Sequence, residues 1–220
     1  MIRVNAAAGE LFLDGVIGGD WGDDDPITAT ALLKKIEPLA GSKLTVRINS
    51  VGGSADEGVA IYNLLRRHEG GVDTVNEALA ASAASIIFLA GDNRLMTSGS
   101  KVMIHRAMTI EIGNAEAMRK KADVLQMYDE SMADIYAEHM GIDRDTILDM
   151  MSKETWFSAD EAVESGLATA KNPSKTKQRA AYAAWFRHPP KDIAESQEED
   201  IKANGRMKLI KARMKMWELG

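Results

Sequence analysis

Three short segments carry residue types from which a nucleophilic site can be built. In INSVGGS, residues 48–54, Gly52 and Gly53 lie between an apolar strand-like run and a helical one. Glycine's access to positive φ lets successive N–H groups point at one acceptor. That suits an oxyanion hole or a phosphate cradle, and a Gly-Gly pair is equally common in such turns for steric reasons alone. In ALAASAASIIFLAG, residues 78–91, Ser82 stands at the first turn of an apolar helix, near unsatisfied N–H groups and the positive end of the dipole. Its neighbours Ala80, Ala81, Ala83 and Ala84 are small enough for a substrate backbone to come close, although Ser82 and Ser85 also fit as small residues in a tightly packed Ala-rich helix. In KVMIHRAM, residues 101–108, His105 ends an apolar strand, where a general base can be presented to a cleft and where structural histidines also occur. The other histidines, His68, His139 and His188, lie among charged residues and are expected at the surface.

Alternating elements must position these segments. GELFLDGVI, KLTVRIN, GVDTVN and KVMIHRA read as strands, being apolar, rich in β-branched residues and bounded by glycine or polar residues. Residues 54–68 read as a helix with Val59, Ile61, Tyr62, Leu64 and Leu65 in its apolar set, and residues 82–89 as a second. DNRLMTSGS reads as a turn. A long helix is expected over 114–140, with Asn114 as N-cap and Gly141 as C-cap. Shorter helices are expected over 143–151 and 158–165. Strands alternating with helices imply an α/β domain with mainly parallel pairing.

Composition narrows the classes. The 220 residues include no cysteine, which excludes a disulfide framework, a thiolate nucleophile and cysteine-ligated metal, and suits a reducing cytoplasm. No signal peptide is expected at the start, and no apolar run is long enough to span a bilayer. A net charge of −6 argues against nucleic acid as the main partner. Residues 171–220 hold twelve Lys and Arg against six Asp and Glu, so an acidic body carries a basic tail. The expected division is 1–170 for the body and 171–220 for linker and tail, with a helix from about residue 198. Asp23, Asp24 and Asp25 read as an exposed loop, and no metal or cofactor is assigned.

Taken together and in this order, SVGGS, AASAAS and MIH resemble the Clp protease proteolytic subunit, ClpP. The family's pattern is a Ser-Pro-Gly-Gly oxyanion segment, a serine among small residues leading into an apolar helix ending in Ala-Gly, and a Met-Ile-His strand. Ser82 stands at the family's interval before Ala90-Gly91, which selects it over Ser85. KETWFSADEAVESGLAT, residues 153–169, resembles the segment bearing the third triad member, and its ETW is similar to the ClpP-related head-maturation proteases of tailed phages. The resemblance covers residues 9–169.

The resemblance implies a ClpP/crotonase-like repeated ββα superhelix with a long protruding handle helix. It implies a serine endopeptidase with Ser82 as nucleophile, His105 as general base and Glu154 as orienting acid. Glu154 replaces the family's aspartate, which leaves Asp149 and Asp160 as substitutes. Backbone N–H groups of Gly53 and Ala83 are the implied oxyanion donors. A homo-oligomeric ring assembled through the long helix is expected, since Ala117, Met118, Ala122, Leu125, Met127, Met132 and Ile135 exceed one core-facing stripe. Val51 in place of the turn proline, a short start and a short segment after His105 separate the chain from housekeeping ClpP. The short start and short segment point to ATPase independence, and the ETW segment, the short start and the basic tail point to cleavage of capsid or scaffold protein, in the host cytoplasm inside an assembling procapsid. A catalytically inactive assembly protein and a crotonase-like acyl-CoA enzyme are the alternatives. A fluorophosphonate probe separates them, because only the protease is labelled at Ser82.

Overall fold

A computed structural model describes residues 1–18, 26–172 and 188. The expected tail helix and the Asp23–Asp25 loop lie outside the described residues. Among the described residues, eight strands form one sheet: β1 (Ile2–Asn5), β2 (Glu10–Asp14), β3 (Leu44–Ser50), β4 (Val72–Ala81), β5 (Asn93–Thr97), β6 (Lys101–Ile104), β7 (Thr155–Phe157) and β8 (Ala170–Asn172). The helices are α1 (Ala29–Ile36), α2 (Ala55–Arg66), α3 (Ala83–Phe88), α4 (Ala115–Met140), α5 (Arg144–Ser152) and α6 (Ala159–Glu164). The strand path is β1-β2-β3-β4-β5-β8, with β6 paired to β4 and β7 to β6. Among the described strands, pairing is parallel from β2 through β5, between β4 and β6 and between β5 and β8, and antiparallel in β1–β2 and β6–β7. This is the mixed α/β architecture expected from the alternating pattern.

Strand β4 organises the site. It spans ten residues, Val72–Ala81, so it runs beyond the short GVDTVN run expected up to the residue before Ser82. Its first half pairs with β5, Asp73 to Asn76 against Asn93 to Met96, and its last residues pair with β6, Leu79 to Ala81 against Lys101 to Met103. At this change of partner the buried Thr97 hydroxyl reaches the carbonyls of Asn76 and Glu77 at 2.9 and 2.8 Å, and Asn76 Nδ2 donates to the Lys101 carbonyl at 2.8 Å. Backbone groups that leave one ladder before entering the next are thus satisfied, as burial demands. The branch brings the ends of β4 and β6 side by side.

Two expectations need correcting. DNRLMTSGS is not simply a turn: Asn93–Thr97 is β5, sandwiched between β4 and β8. Its polar letters hid a strand because Asn93 and Arg94 are used at the sheet's rim. Asn93 Nδ2 donates to Asp73, and the Arg94 guanidinium donates to the carbonyls of Gly91, Gly166 and Leu167. His139 is not a surface histidine, since its ring packs edge-on against Tyr62, with Nε2 3.2 Å from the hydroxyl. Burial lowers its pKa.

The core lies between the sheet and helices α2 and α3. Ile61, Leu64 and Leu65 of α2 and Ile86, Ile87 and Phe88 of α3 meet Leu11, Leu13, Val46 and Ile48 of the strands. Helix α4 has two environments. Capped by the Asn114 side chain and by Gly141 in the left-handed region, its 26 residues extend about 39 Å. Asp129, Met132, Ala133 and Tyr136 in its second half are buried, while Met118, Val124 and Met127 in its first half are exposed. Among the described residues no helix is long and apolar enough to cross a membrane, and no group of three or more His, Cys, Asp and Glu is placed to hold a metal ion.

Candidate active site

Ser82 is the residue at which β4 turns into α3. Its backbone, φ 55° and ψ −128°, lies where a residue with a side chain is strained at a cost of about 1–3 kcal/mol. As N-cap of α3, a serine normally accepts a hydrogen bond from an N–H in the first turn. Ser82 makes no such bond. Its hydroxyl is turned instead toward His105, with Oγ 2.8 Å from Nε2. His105 follows directly after β6, and the parallel β4–β6 register, together with the Ser82 N–H donated to the Met103 carbonyl at 2.9 Å, makes the two residues neighbours across the sheet. The next two amides are tied down as well, Arg106 N–H to the Met151 carbonyl and Ala107 N–H to Asp129 Oδ1 at 2.7 Å.

The glycines are required by close approach. Gly52 has φ 91°, and a Cβ on it would fall 2.6 Å from Ser82 Cβ and 2.9 Å from Ala83 N. Gly53 has φ 142°, and a Cβ there would meet the Ile17 carbonyl oxygen at 2.1 Å. Ile17 N–H donates to Gly52 O and Ser54 N–H to Ile17 O, which clamps the turn on both sides. Gly58 of α2, with space for no side chain against Ala83 Cβ, lets α2 and α3 pack tightly. Gly52 thus lies directly against Ser82 and the Ala83 amide, where β4 turns into α3.

Glu154 is 8% exposed and also has positive φ, 53°. It links α5 to β7, with its N–H on the Met151 carbonyl and its Oε1 accepting from Trp156 Nε1 at 3.3 Å. The β6–β7 register pairs Ile104 with Thr155, so the next residues outward are His105 and Glu154. The substitute acids are elsewhere. Asp149 and Asp160 are exposed and each meets a lysine at 2.5 Å, Lys153 and Lys171 respectively.

Three further residues lie around the site, of which the sequence reading weighed Ser85 only as a small neighbour of Ser82 and did not single out Tyr136 or Asp129 for a role there. Ser85 donates to the Ser82 carbonyl at 2.5 Å and meets the Tyr136 hydroxyl at 2.6 Å. Asp129, whose carboxyl is pushed upward in pKa by burial, holds the segment after His105. A signal existed for Asp129: it shares a 3.6-residue stripe with the buried Met132, Ala133 and Tyr136, so a charge on that face needed a partner.

The Clp protease family model matches residues 26–170. The chain is 30% identical over 162 residues to the ATP-dependent Clp protease proteolytic subunit 1 of Chlamydia muridarum, covering 65% of this chain and 80% of that protein. It is 32% identical over 155 residues to the ATP-dependent Clp protease proteolytic subunit of Pleurastrum terricola, covering 69% and 79%. Its fold is similar to that of a ClpP1 mutant from Listeria monocytogenes, with TM-score 0.66 and 22% identity over 77% of this chain and 94% of that one. The match spans the Gly-Gly turn, the serine, the histidine and the acidic turn together, and the chain belongs to the Clp protease family.

Proposed function

We propose that the protein is a ClpP-type serine endopeptidase in which Ser82, His105 and Glu154 form the catalytic triad. The observation that carries this reading is the 2.8 Å contact between Ser82 Oγ and His105 Nε2 at a strained strand-to-helix turn. Ser82 Oγ attacks the scissile carbonyl carbon while His105 takes its proton, and the tetrahedral oxyanion is held by the N–H groups of Gly53 and Ala83. Collapse expels the amine, which receives the proton from His105. A water, deprotonated by the same imidazole, then releases the acyl group from Ser82. Glu154, buried at the register position beside His105, keeps the imidazole in the required orientation and stabilises its charged form. No cofactor or metal takes part. A crotonase-type enzyme needs no Ser–His contact of this kind, which favours the protease over the acyl-CoA reading.

The substrate is protein, and the finer reading is ATPase-independent processing of phage capsid or scaffold protein during head maturation. It rests on the ETW segment, on the basic residues after 170 and on residues 105–113, which contain no strand or helix where housekeeping relatives carry a handle strand. The active species is a homo-oligomeric ring, for which the exposed Met118, Val124 and Met127 of α4 provide adaptable apolar contacts. Incubation of the purified protein with a tailed-phage procapsid protein or scaffold, with no ATPase and no nucleotide, tests this. Discrete fragments lost in Ser82→Ala are expected; cleavage only with an ATP-driven partner contradicts it.

A further inference from the structure

One peptide unit joins the proposed nucleophile to its proposed oxyanion donor. The carbonyl of that unit belongs to Ser82 and the N–H to Ala83, and planarity points the two in opposite directions. Whatever fixes the Ser82 carbonyl therefore aims the Ala83 N–H. Two groups of Ser85 fix it: the backbone N–H at 2.9 Å and the side-chain Oγ at 2.5 Å. With its own hydrogen given to that carbonyl, Ser85 Oγ accepts from the Tyr136 hydroxyl at 2.6 Å. Tyr136 is 1% exposed and Ser85 0%, so the pair is sealed from water inside the apolar core. Burial raises the pKa of the tyrosine, which keeps it a donor throughout the working pH range.

From this we infer that Ser85 and Tyr136 are positioning residues for the oxyanion hole, an inference that rests on Ser82 as nucleophile and Ala83 as donor. Three observations favour it over simple satisfaction of buried polar groups. The peptide they hold follows a residue at φ 55° and ψ −128°, a conformation that surrounding structure must enforce. The Ser82 hydroxyl, turned to His105, does not cap α3, so this start of the helix lacks its ordinary side-chain anchor. An alanine at 85 and a phenylalanine at 136 would fill the same space without the cost of burying two hydroxyls. The chain Tyr136 O–H, Ser85 O–H, Ser82 carbonyl and Ala83 N–H also aligns four dipoles in series. Each bond polarises the next toward the charge that develops on the substrate oxygen. Tyr136 lies on the buried half of α4, so the helix supports the reaction centre through this relay.

The test uses full-length protein carrying Tyr136→Phe, Ser85→Ala or both. Readouts are kcat and KM on a fluorogenic peptide, and the affinities of a peptide aldehyde and of the product peptide. An aldehyde adduct on Ser82 places an oxyanion in the hole; a product peptide does not. Each single variant is expected to lower kcat about 10-fold, less than the ~10²–10³-fold cost of deleting an oxyanion donor. KM and product-peptide affinity stay within about twofold, and aldehyde affinity falls in parallel with kcat. The double variant is no worse than the weaker single one, because both act through one carbonyl. Tyr136→Phe keeps the core shape and decides the matter if Ser85→Ala fails to fold. Unchanged kcat in folded Tyr136→Phe overturns the inference, as does equal weakening of aldehyde and product peptide. A wild type that forms no aldehyde adduct overturns the protease reading with it, whereas an active wild type with unaffected variants overturns this inference alone.

Discussion

Ser82 and Glu154 are the two non-glycine residues with positive φ among the described residues, and they stand on either side of His105. Their supports differ. Ser82 is set between a ten-residue strand and a wholly buried helix, with its N–H on Met103 and its carbonyl on Ser85. Glu154 precedes a three-residue strand; its N–H donates to the Met151 carbonyl and its Oε1 accepts from Trp156 Nε1. Strain in a protein persists only where the surroundings over-determine it, and here two such residues flank one histidine. The nucleophile side is fixed by the core, the acid side by a short ribbon at its edge. Chemistry at Ser82 is accordingly expected to be rigid, and orientation at Glu154 to be the adjustable part.

Changes at position 154 probe that difference. The larger effect is expected from Glu154→Gln, which keeps shape but presents a neutral amide to the imidazole. A drop in kcat of roughly 10²–10⁴-fold on a fluorogenic peptide is expected, in line with the loss of an orienting carboxylate in other triads. Asp149→Asn and Asp160→Asn should leave the rate within about twofold, since both carboxylates are solvent-exposed and paired with lysines. A full-sized loss in either one instead would move the acid away from Glu154. The smaller effect is on stability. Glu154→Gly relieves the positive φ, partly offset by glycine's greater backbone entropy, and is expected to stabilise the fold by about 0.5–1 kcal/mol while lowering activity. Thermal unfolding checks it, and a lower midpoint would mean that the Glu154 side chain supports the fold more than its strain costs.

Much of this was legible in the sequence, unevenly. Periodicity and caps located α2, α4, α5 and α6, because Ser54, Asn114, Asp143 and Ser158 each accept from a first-turn N–H as their types predict. The resemblance carried by the glycine, serine and histidine segments put Ser82 and His105 in one site, and their side chains lie 2.8 Å apart. Elements whose letters serve the tertiary structure were missed. β5 looks polar because Asn93 and Arg94 bond across the rim, and the second half of β4 was not read as strand because its small residues Ala78, Ala80 and Ala81 carry little β signal. β1 and α1 carried weak local signals, with Ile2 alone buried in the first and Leu32 and Ile36 in the second. The proposed acid was the least legible residue: the resemblance put Glu154 first with Asp149 and Asp160 as substitutes, and the three differ in burial and in their place relative to the β6–β7 register. Ser85 and Tyr136 could not be joined from sequence, being 51 residues apart.

The central claim, an activated Ser82, is tested most directly by intact-protein mass spectrometry after incubation with a fluorophosphonate. The account predicts one adduct on the wild type, mapped to the peptide containing Ser82, absent in Ser82→Ala and strongly slowed in His105→Ala. An unlabelled wild type, or labelling that survives Ser82→Ala, would contradict it.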